Sequence, residues 1–391
     1  MNQYSFLCMA MEFKGASFMT TLKSMGHRVF LLTEEEARHE PWPRESIDEI
    51  FYAPRDRDAP HNRQQLIDGT AWLMREHGID RIVALDDFDV EDAALLREEF
   101  RLPGMGQTTA RHFRDKLAMR LLAAEHDIAV PPFSPLFRRS NLQAFCDSTE
   151  GPWVIKPRSE ASAKGISKVH SAQEALEVFD ALGDHAYRYL IECFAPGEVF
   201  HVDALVDHGS IAYVRSSQYV DPPLAVVQGG GLFQTRMLST RSKEARELKG
   251  LTERVMTAFG MRYSASHTEF IRDRRGKFLL LETSSRVGGA YISTMIEQAT
   301  GVDLWSEWAK LEVARLAGTS YKVGPVRNDL GAITIKAVGT EHPEVLEADA
   351  KHVAYRISKP YHVGRVFVAS ALSELEQAQA AFAKTLLASG L

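Results

Sequence analysis

The sequence is short of the features that most quickly assign a protein. It has only 3 Cys in 391 residues, Cys8, Cys146 and Cys193, far apart and with no CxxC pair. That excludes a disulfide framework and a cysteine-based zinc site, and it suits a reducing compartment. No uninterrupted apolar run comes near the roughly 20 residues that span a bilayer. The opening stretch MNQYSFLCMAMEFKGASF lacks a basic start followed by a sustained apolar core. A secretory leader is therefore not expected, and the sequence predicts a cytoplasmic protein. No internal repeat or low-complexity tract is present, and neither sign of charge dominates. The 46 Lys+Arg against 52 Asp+Glu leave −6, which points to neither nucleic acid nor a membrane surface as partner.

What is present is an ordinary globular composition, 45% hydrophobic and 25% charged. The length allows two to four domains at roughly 100–200 residues each. Apolar runs at 4–9, 28–32, 50–52 and 81–85 alternate with helical spacing over 15–25 and 63–77, the latter stopping at Gly78. Strand, helix and strand in that order predict a parallel, Rossmann-like α/β sheet. The first turn, Met11-Glu12-Phe13-Lys14-Gly15, is not GxGxxG, so a dinucleotide is excluded there.

Beyond Leu102-Pro103-Gly104 a helix over 109–124 carries Asp115-Lys116. A strand over 153–157 runs into a small-residue loop at 159–165, and further strands are expected at 189–192 and 198–206. Gln228-Gly229-Gly230-Gly231 reads as a flexible connection. Strands over 267–271 and 277–282 flank a hairpin turn, and helices follow near 290–300 and 303–317. From about Leu330 the tail alternates strands and ends in an Ala-rich helix.

The hairpin holds the best chemical clue. With its turn centred on Arg275-Gly276, Glu269 and Glu282 fall opposite each other on one face, their Cβ atoms about 4.5–5.5 Å apart. Facing carboxylates repel unless a cation sits between them, and Mg²⁺ with phosphate oxygens is a natural occupant. The plainer alternative is a pair of solvated surface acids. Lys116, Lys156 closing its strand, the Ser162/Gly165 loop and Glu192 before Cys193-Phe194-Ala195-Pro196-Gly197-Glu198 tip the balance. Ammonium groups meet phosphates, and a Gly/Ser loop aims backbone N–H groups at the terminal phosphate.

In this order, from about residue 80 to 310, the motifs resemble the ATP-grasp superfamily, in particular its biotin-carboxylase-like carboxylate–amine ligases. The resemblance implies an α/β protein with an N-terminal Rossmann-like domain (1–105), an ATP-grasp lid subdomain with linker helix (106–189), a catalytic subdomain (190–325) and a small C-terminal α/β region (326–391). It implies ATP bound by Lys116 and Lys156, with Ser162 and Gly165 in the phosphate-covering flap. Glu192 and the Cys193–Phe194 backbone would meet adenine, and Glu198 the ribose. Glu269 and Glu282 would hold Mg²⁺, for which Mn²⁺ can substitute, and Arg286 would stabilise an acyl phosphate. The family's last motif carries Asn where this chain has Ser284, a shorter and weaker ligand.

The implied reaction joins a carboxylate and an amine through an acyl phosphate, releasing ADP and phosphate. Amino acids are the expected substrates, giving a dipeptide or similar amide, and homodimerisation is a family-level expectation. A purine-pathway ligase of the same superfamily is the rival within the class; a non-catalytic ATP binder, marked by Ser284, is the rival outside it. His201, Asp203 and His267 are candidates to touch substrate or support the metal, with structural hydrogen bonding as the alternative. Arg215 and Arg236 are candidates to bind a substrate carboxylate. The pair Gly288-Gly289 is expected to open the next helix.

Overall fold

Four parallel strands open the chain: β1 (Ser5–Met9), β2 (Arg28–Glu34), β3 (Glu49–Ala53) and β4 (Arg81–Ala84), in the order β3-β2-β1-β4. The computed structural model describes residues 2–53, 62–161, 164–343 and 351–389. Every residue of β1 is buried, as a parallel strand covered on both faces requires. The covers are α1 (Ala16–Ser24), α2 (Arg63–His77) and α3 (Val90–Glu99). Local rules fix α2 at both ends. The Asn62 side chain accepts from the Gln64 and Gln65 N–H groups, and Gly78 closes the helix at positive φ.

The single helix expected over 109–124 is instead two, α4 (Gln107–Arg111) and α5 (Lys116–Glu125). Asp115 between them is extended, and its carboxylate accepts from the Leu117 and Ala118 N–H groups. A capping side chain in mid-pattern starts a new helix, so Lys116 stands at the first position of α5.

A small antiparallel sheet follows, ordered β5-β8-β6-β7, from β5 (Phe133–Pro135), β6 (Trp153–Pro157), β7 (Ser167–Val169) and β8 (Tyr189–Cys193). Helices α6 (Arg139–Ser148) and α7 (Ala172–Leu182) pack Leu142, Phe145 and Ala175 against its Ile155 and Ile191.

The large sheet is built from β9 (Gly197–Asp207), β10 (Ser210–Tyr219), β11 (Phe233–Met237), β12 (Tyr263–Asp273), β13 (Phe278–Ser284), β14 (Leu330–Ala337), β15 (Val353–Lys359) and β16 (His362–Ala369). Its order is β13-β12-β9-β10-β11-β14-β16-β15. The segment read as a flexible connection is α8 (Pro223–Gly229), begun by proline at its first turn and closed by Gly230 in the left-handed region. The tail's strands continue this sheet through β11–β14 pairing rather than forming a sheet of their own. Helices α9 (Lys243–Phe259), α10 (Ile292–Thr300), α11 (Leu304–Ala317) and α12 (Leu372–Ala388) complete the chain.

Helix α11 joins the two main bodies, lying between α1 and β12. Phe18 meets Trp308 edge-on at 5.2 Å, and burying each such side chain contributes about 1.5–3 kcal/mol. Within this contact the buried Arg81 of β4 donates to Glu312 at 2.7 Å, and Trp308 Nε1–H takes the other carboxylate oxygen at 3.0 Å. The end of β4, with Asp87 just beyond it, is thereby held against the large sheet. Among the described residues no helix is long and apolar enough to cross a membrane.

Candidate active site

A cleft of 690 Å³ lies between the small and large sheets. Lys156 enters it from β6, Glu192 and Cys193 from β8, Glu269 from β12, Glu282 from β13, Lys116 from α5 and Asp87 from beyond β4.

The two carboxylates stand in register, Glu269 opposite Glu282, but by a route the sequence did not suggest. The pairs Arg272–Phe278 and Phe270–Leu280 centre the turn on Arg275, which would put Leu281 opposite Glu269. One extra residue, Leu281, is bulged out and restores Glu282 to the facing position. A one-residue slip reverses every side chain's face, and a bulge is the usual device for re-aiming one.

Glu269 accepts the Tyr219 hydroxyl on Oε1 at 2.7 Å, with His267 Nε2 3.6 Å from the same oxygen. Glu282 Oε2 lies 3.1 Å from Lys116 Nζ. Burial would raise the Glu282 carboxyl, but the Lys116 and Lys156 charges outweigh it and hold it below the usual range. Lys116 also donates to the Glu160 carbonyl of the flap at 2.7 Å. The second oxygen of each glutamate makes no hydrogen bond or ion pair with the described residues. Two such opposed carboxylate oxygens suit a hard divalent cation such as Mg²⁺.

Behind Glu269 runs a buried polar chain. His267 Nδ1 and His201 Nδ1 lie 2.9 and 2.7 Å from the two oxygens of Asp203, and His201 Nε2 lies 2.8 Å from Thr235 Oγ1. Burial pulls the His267 pKa down, but Asp203 and Glu269 together push it up to about 10. Burial likewise works against the Asp203 carboxylate, which the two imidazoles nevertheless hold far below its usual value. Gly288 closes over this pair; a Cβ there would sit 2.5 Å from Asp203 Oδ1. Of the three, His267 alone lines the cleft, and His201 and Asp203 stand behind it, wholly buried.

The side of the cleft expected to meet a nucleotide departs from expectation in its detail. Glu192 is not free to meet a base: it is ion-paired with Lys156 and accepts from Arg120 Nε at 3.0 Å. Burial opposes its charge, and the Arg120 and Lys156 cations still keep it below the usual carboxylate range. Burial brings Lys156 down to about 8 despite Glu192 beside it. The Cys193 and Phe194 N–H groups donate at 2.9 Å to the Pro132 and Pro152 carbonyls. The next backbone N–H, on Ala195, donates to no described residue, and Ala195 lines the cleft. Glu198 points away: Val199 beside it takes the cleft face, and Glu198 pairs across the strand with Arg272, Nε to Oε2 at 3.0 Å. Ser162 lies outside the described residues. Gly165 is in the left-handed region at the flap's end, and Lys164 and Ile166 on either side of it line the cleft.

On the opposite side, Arg286 lies against Asp87, with Nε 2.6 Å from Oδ2, and donates from Nη1 to the Val287 carbonyl at 2.7 Å. Ser284 lines the cleft. Arg215 and Arg236 do not. Arg236 alternates with Thr235 to the far face of the sheet, where it meets Gln379 and Glu376 of α12. Arg215 lines a separate cavity. Gly288-Gly289 do not open α10 either: Ala290 and Tyr291 follow in the left-handed region before the helix starts at Ile292.

Asp87, Arg120, Tyr219 and the Ala195 N–H are not among the candidates read from the sequence. Asp87 lies in the acidic string Asp86-Asp87-Phe88-Asp89, and Arg120 lies one helical turn after Lys116. Tyr219 carried no local signal.

No protein-family model matches the chain. It is 26% identical over 273 residues to the L-arginine-specific L-amino acid ligase of Bacillus subtilis, a match covering 67% of this chain and 64% of that protein, just under two thirds of its length. The crystal structure of an L-amino acid ligase from Bacillus licheniformis superposes with a TM-score of 0.72 at 16% identity, covering 99% of this chain and 98% of that one. N5-carboxyaminoimidazole synthetase from Staphylococcus aureus, complexed with ADP, gives 0.72 at 14% identity, covering 98% of each chain.

Proposed function

Taking the ATP-grasp fold of this chain as the premise, we propose that it is an ATP-dependent ligase joining the carboxylate of one amino acid to the amine of another, with release of ADP and phosphate. The observation that carries the reading is the Glu269–Glu282 pair with Lys116 on one of its members. The amino-acid ligases among its relatives support the substrate class.

In this reading Lys116 and Lys156 neutralise phosphate charge, which is most of what phosphoryl transfer asks of a protein. The Ala195 N–H meets the acceptor edge of adenine. Glu269 and Glu282 would hold Mg²⁺, which would supply positive charge to neutralise the transferring phosphate. Tyr219 and His267 keep Glu269 aimed. The substrate carboxylate attacks the terminal phosphorus, forming a C–O–P bond as the bond to ADP breaks. The amine nitrogen then attacks the acyl carbon, phosphate leaves and the nitrogen gives up a proton. Arg286, held by Asp87, stabilises the negative charge of the acyl phosphate. The flap around Lys164 excludes water from that intermediate.

The test follows ADP, AMP, phosphate and new masses from protein, Mg-ATP and pooled amino acids. Amino-acid-dependent ADP and phosphate with a new amide mass supports the proposal. AMP and pyrophosphate overturn the acyl-phosphate route. ADP release dependent on an aminoimidazole nucleotide instead would assign the purine-type alternative, and tight ATP binding without turnover a non-catalytic binder.

A further inference from the structure

A second cavity, of 340 Å³, opens where β10 and β11 meet the loop before β14, and it shares no lining residue with the cleft. Its inner wall carries a charge that no carboxylate of the described residues pairs. Arg215 is 9% exposed, and its guanidinium donates only to backbone, the Val214 carbonyl at 2.9 Å and that of Arg327 at 3.5 Å. The residue opposite it across the sheet is Asp203, but both oxygens of that carboxylate are engaged by His201 and His267. Buried charges are ordinarily paired, and no carboxylate of the described residues forms an ion pair with this one.

The remaining walls define what would pair with it. Arg241 adds a second cation at the rim. Asp329 offers a carboxylate that forms no ion pair among the described residues. Met237 and Leu330, both buried, form an apolar wall. Two cations, one carboxylate and an apolar surface complement a zwitterion with an apolar side chain. A phosphate dianion would face Asp329, and 340 Å³ lies at the small end of ligand sites, which run about 300–1,000 Å³.

The geometry points to a second small-molecule site that binds a free apolar α-amino acid, its carboxylate on Arg215 and Arg241, its ammonium on Asp329 and its side chain against Met237 and Leu330. Occupancy there needs no turnover in the cleft, so it stands or falls separately from the ligase reaction.

Two methionines make the sites separately visible, since Met237 lines this cavity and Met119 lines the cleft. The full chain labelled with ¹³C-methyl methionine is titrated with L-leucine in the presence of Mg-ADP, and with 4-methylpentanoate and isopentylamine, which lack one charge each. A saturable shift of the Met237 methyl with L-leucine is expected, with both analogues about tenfold weaker or worse, as loss of one charged hydrogen bond predicts. Arg215→Met should abolish the shift. Asp329→Asn, a change at the rim that leaves the packing intact, should bring leucine down to the affinity of 4-methylpentanoate. The assignment is overturned if Met237 does not respond to leucine. It is also overturned if 4-methylpentanoate binds as well as leucine, or if the response survives both substitutions.

Discussion

Glu269 and Glu282 face each other across the β12–β13 hairpin, and among the described residues each is held through one oxygen. Facing like charges cost about 0.2–1 kcal/mol in the free protein. Glu269→Gln relieves that repulsion and keeps an acceptor for Tyr219 but takes one of its two carboxylates from the buried His267 imidazolium, so the opposing effects should leave the metal-free variant unfolding close to the parent's temperature. Mg-ADP should raise the Tm of the parent and not that of the variant, Mn²⁺ binding followed by electron paramagnetic resonance should weaken, and turnover should fall about 10²–10³-fold. Unchanged Mn²⁺ affinity would remove this pair from the metal site.

That pairing was visible in the sequence because strand periodicity and a turn of charged residues ending in glycine locate a hairpin. Its mechanism was not visible. A bulge at Leu281 is a tertiary choice, made where Glu282 must face Lys116 rather than solvent, and no residue type announces it. The same division holds elsewhere. The strands of the first sheet and α2 followed from apolar runs and caps. The break between α4 and α5 escaped because Asp115 was read within a helical pattern instead of as its cap. Glu192 lies in the cleft but is paired with Lys156 and Arg120 rather than free to meet a base; Arg120 comes from another element, and cross-element pairing leaves no spacing to read. Arg236 misled for a simple reason: along a strand only every second residue faces the cleft.

Glu192 holds two buried cations, so its removal tests stability as well as binding. Glu192→Gln takes from Lys156 and Arg120, both buried, the carboxylate they share. Breaking a buried pair by deleting one partner costs about 3–5 kcal/mol. Urea unfolding should show a loss of that size, and Glu192→Asp a smaller one. A loss below about 1 kcal/mol would mean that water reaches these cations.

Asp87 reaches Arg286 from the other end of the chain, a contact between the first sheet and the cleft. Burial disfavours the Asp87 charge, and Arg286 with Arg114 still holds its carboxyl below the usual range. Asp87→Asn should leave ADP affinity unchanged, because neither residue meets the nucleotide in the proposed arrangement, while lowering kcat. Arg286→Lys should be as impaired as Arg286→Ala, since an ammonium cannot hold Asp87 and the Val287 carbonyl from separate nitrogens. Steady-state kinetics beside calorimetric ADP titration separates the two effects. A fall in ADP affinity equal to the fall in kcat would place Arg286 on the nucleotide instead.

Lys156 gives the candidate site a pH dependence whose sign differs for binding and for folding. Its pKa in the folded protein is about 8 against the usual 10.5, burial outweighing the attraction of Glu192. Below pH 8 the ammonium is present to meet phosphate; as pH rises through 8 it is lost, so nucleotide affinity should fall, approaching about tenfold per pH unit where binding requires that proton. Stability moves the other way. Between about 8 and 10.5 the unfolded chain binds the proton and the folded one does not, so this group's contribution to the unfolding free energy rises with pH. Lys156→Arg, charged throughout, should give a flat affinity profile over the same range. Calorimetric ADP titrations from pH 6.5 to 9.5 on both proteins decide the matter: parallel profiles would assign the pH dependence to another group, and a parent profile that stays flat would mean that Lys156 does not carry the phosphate contact.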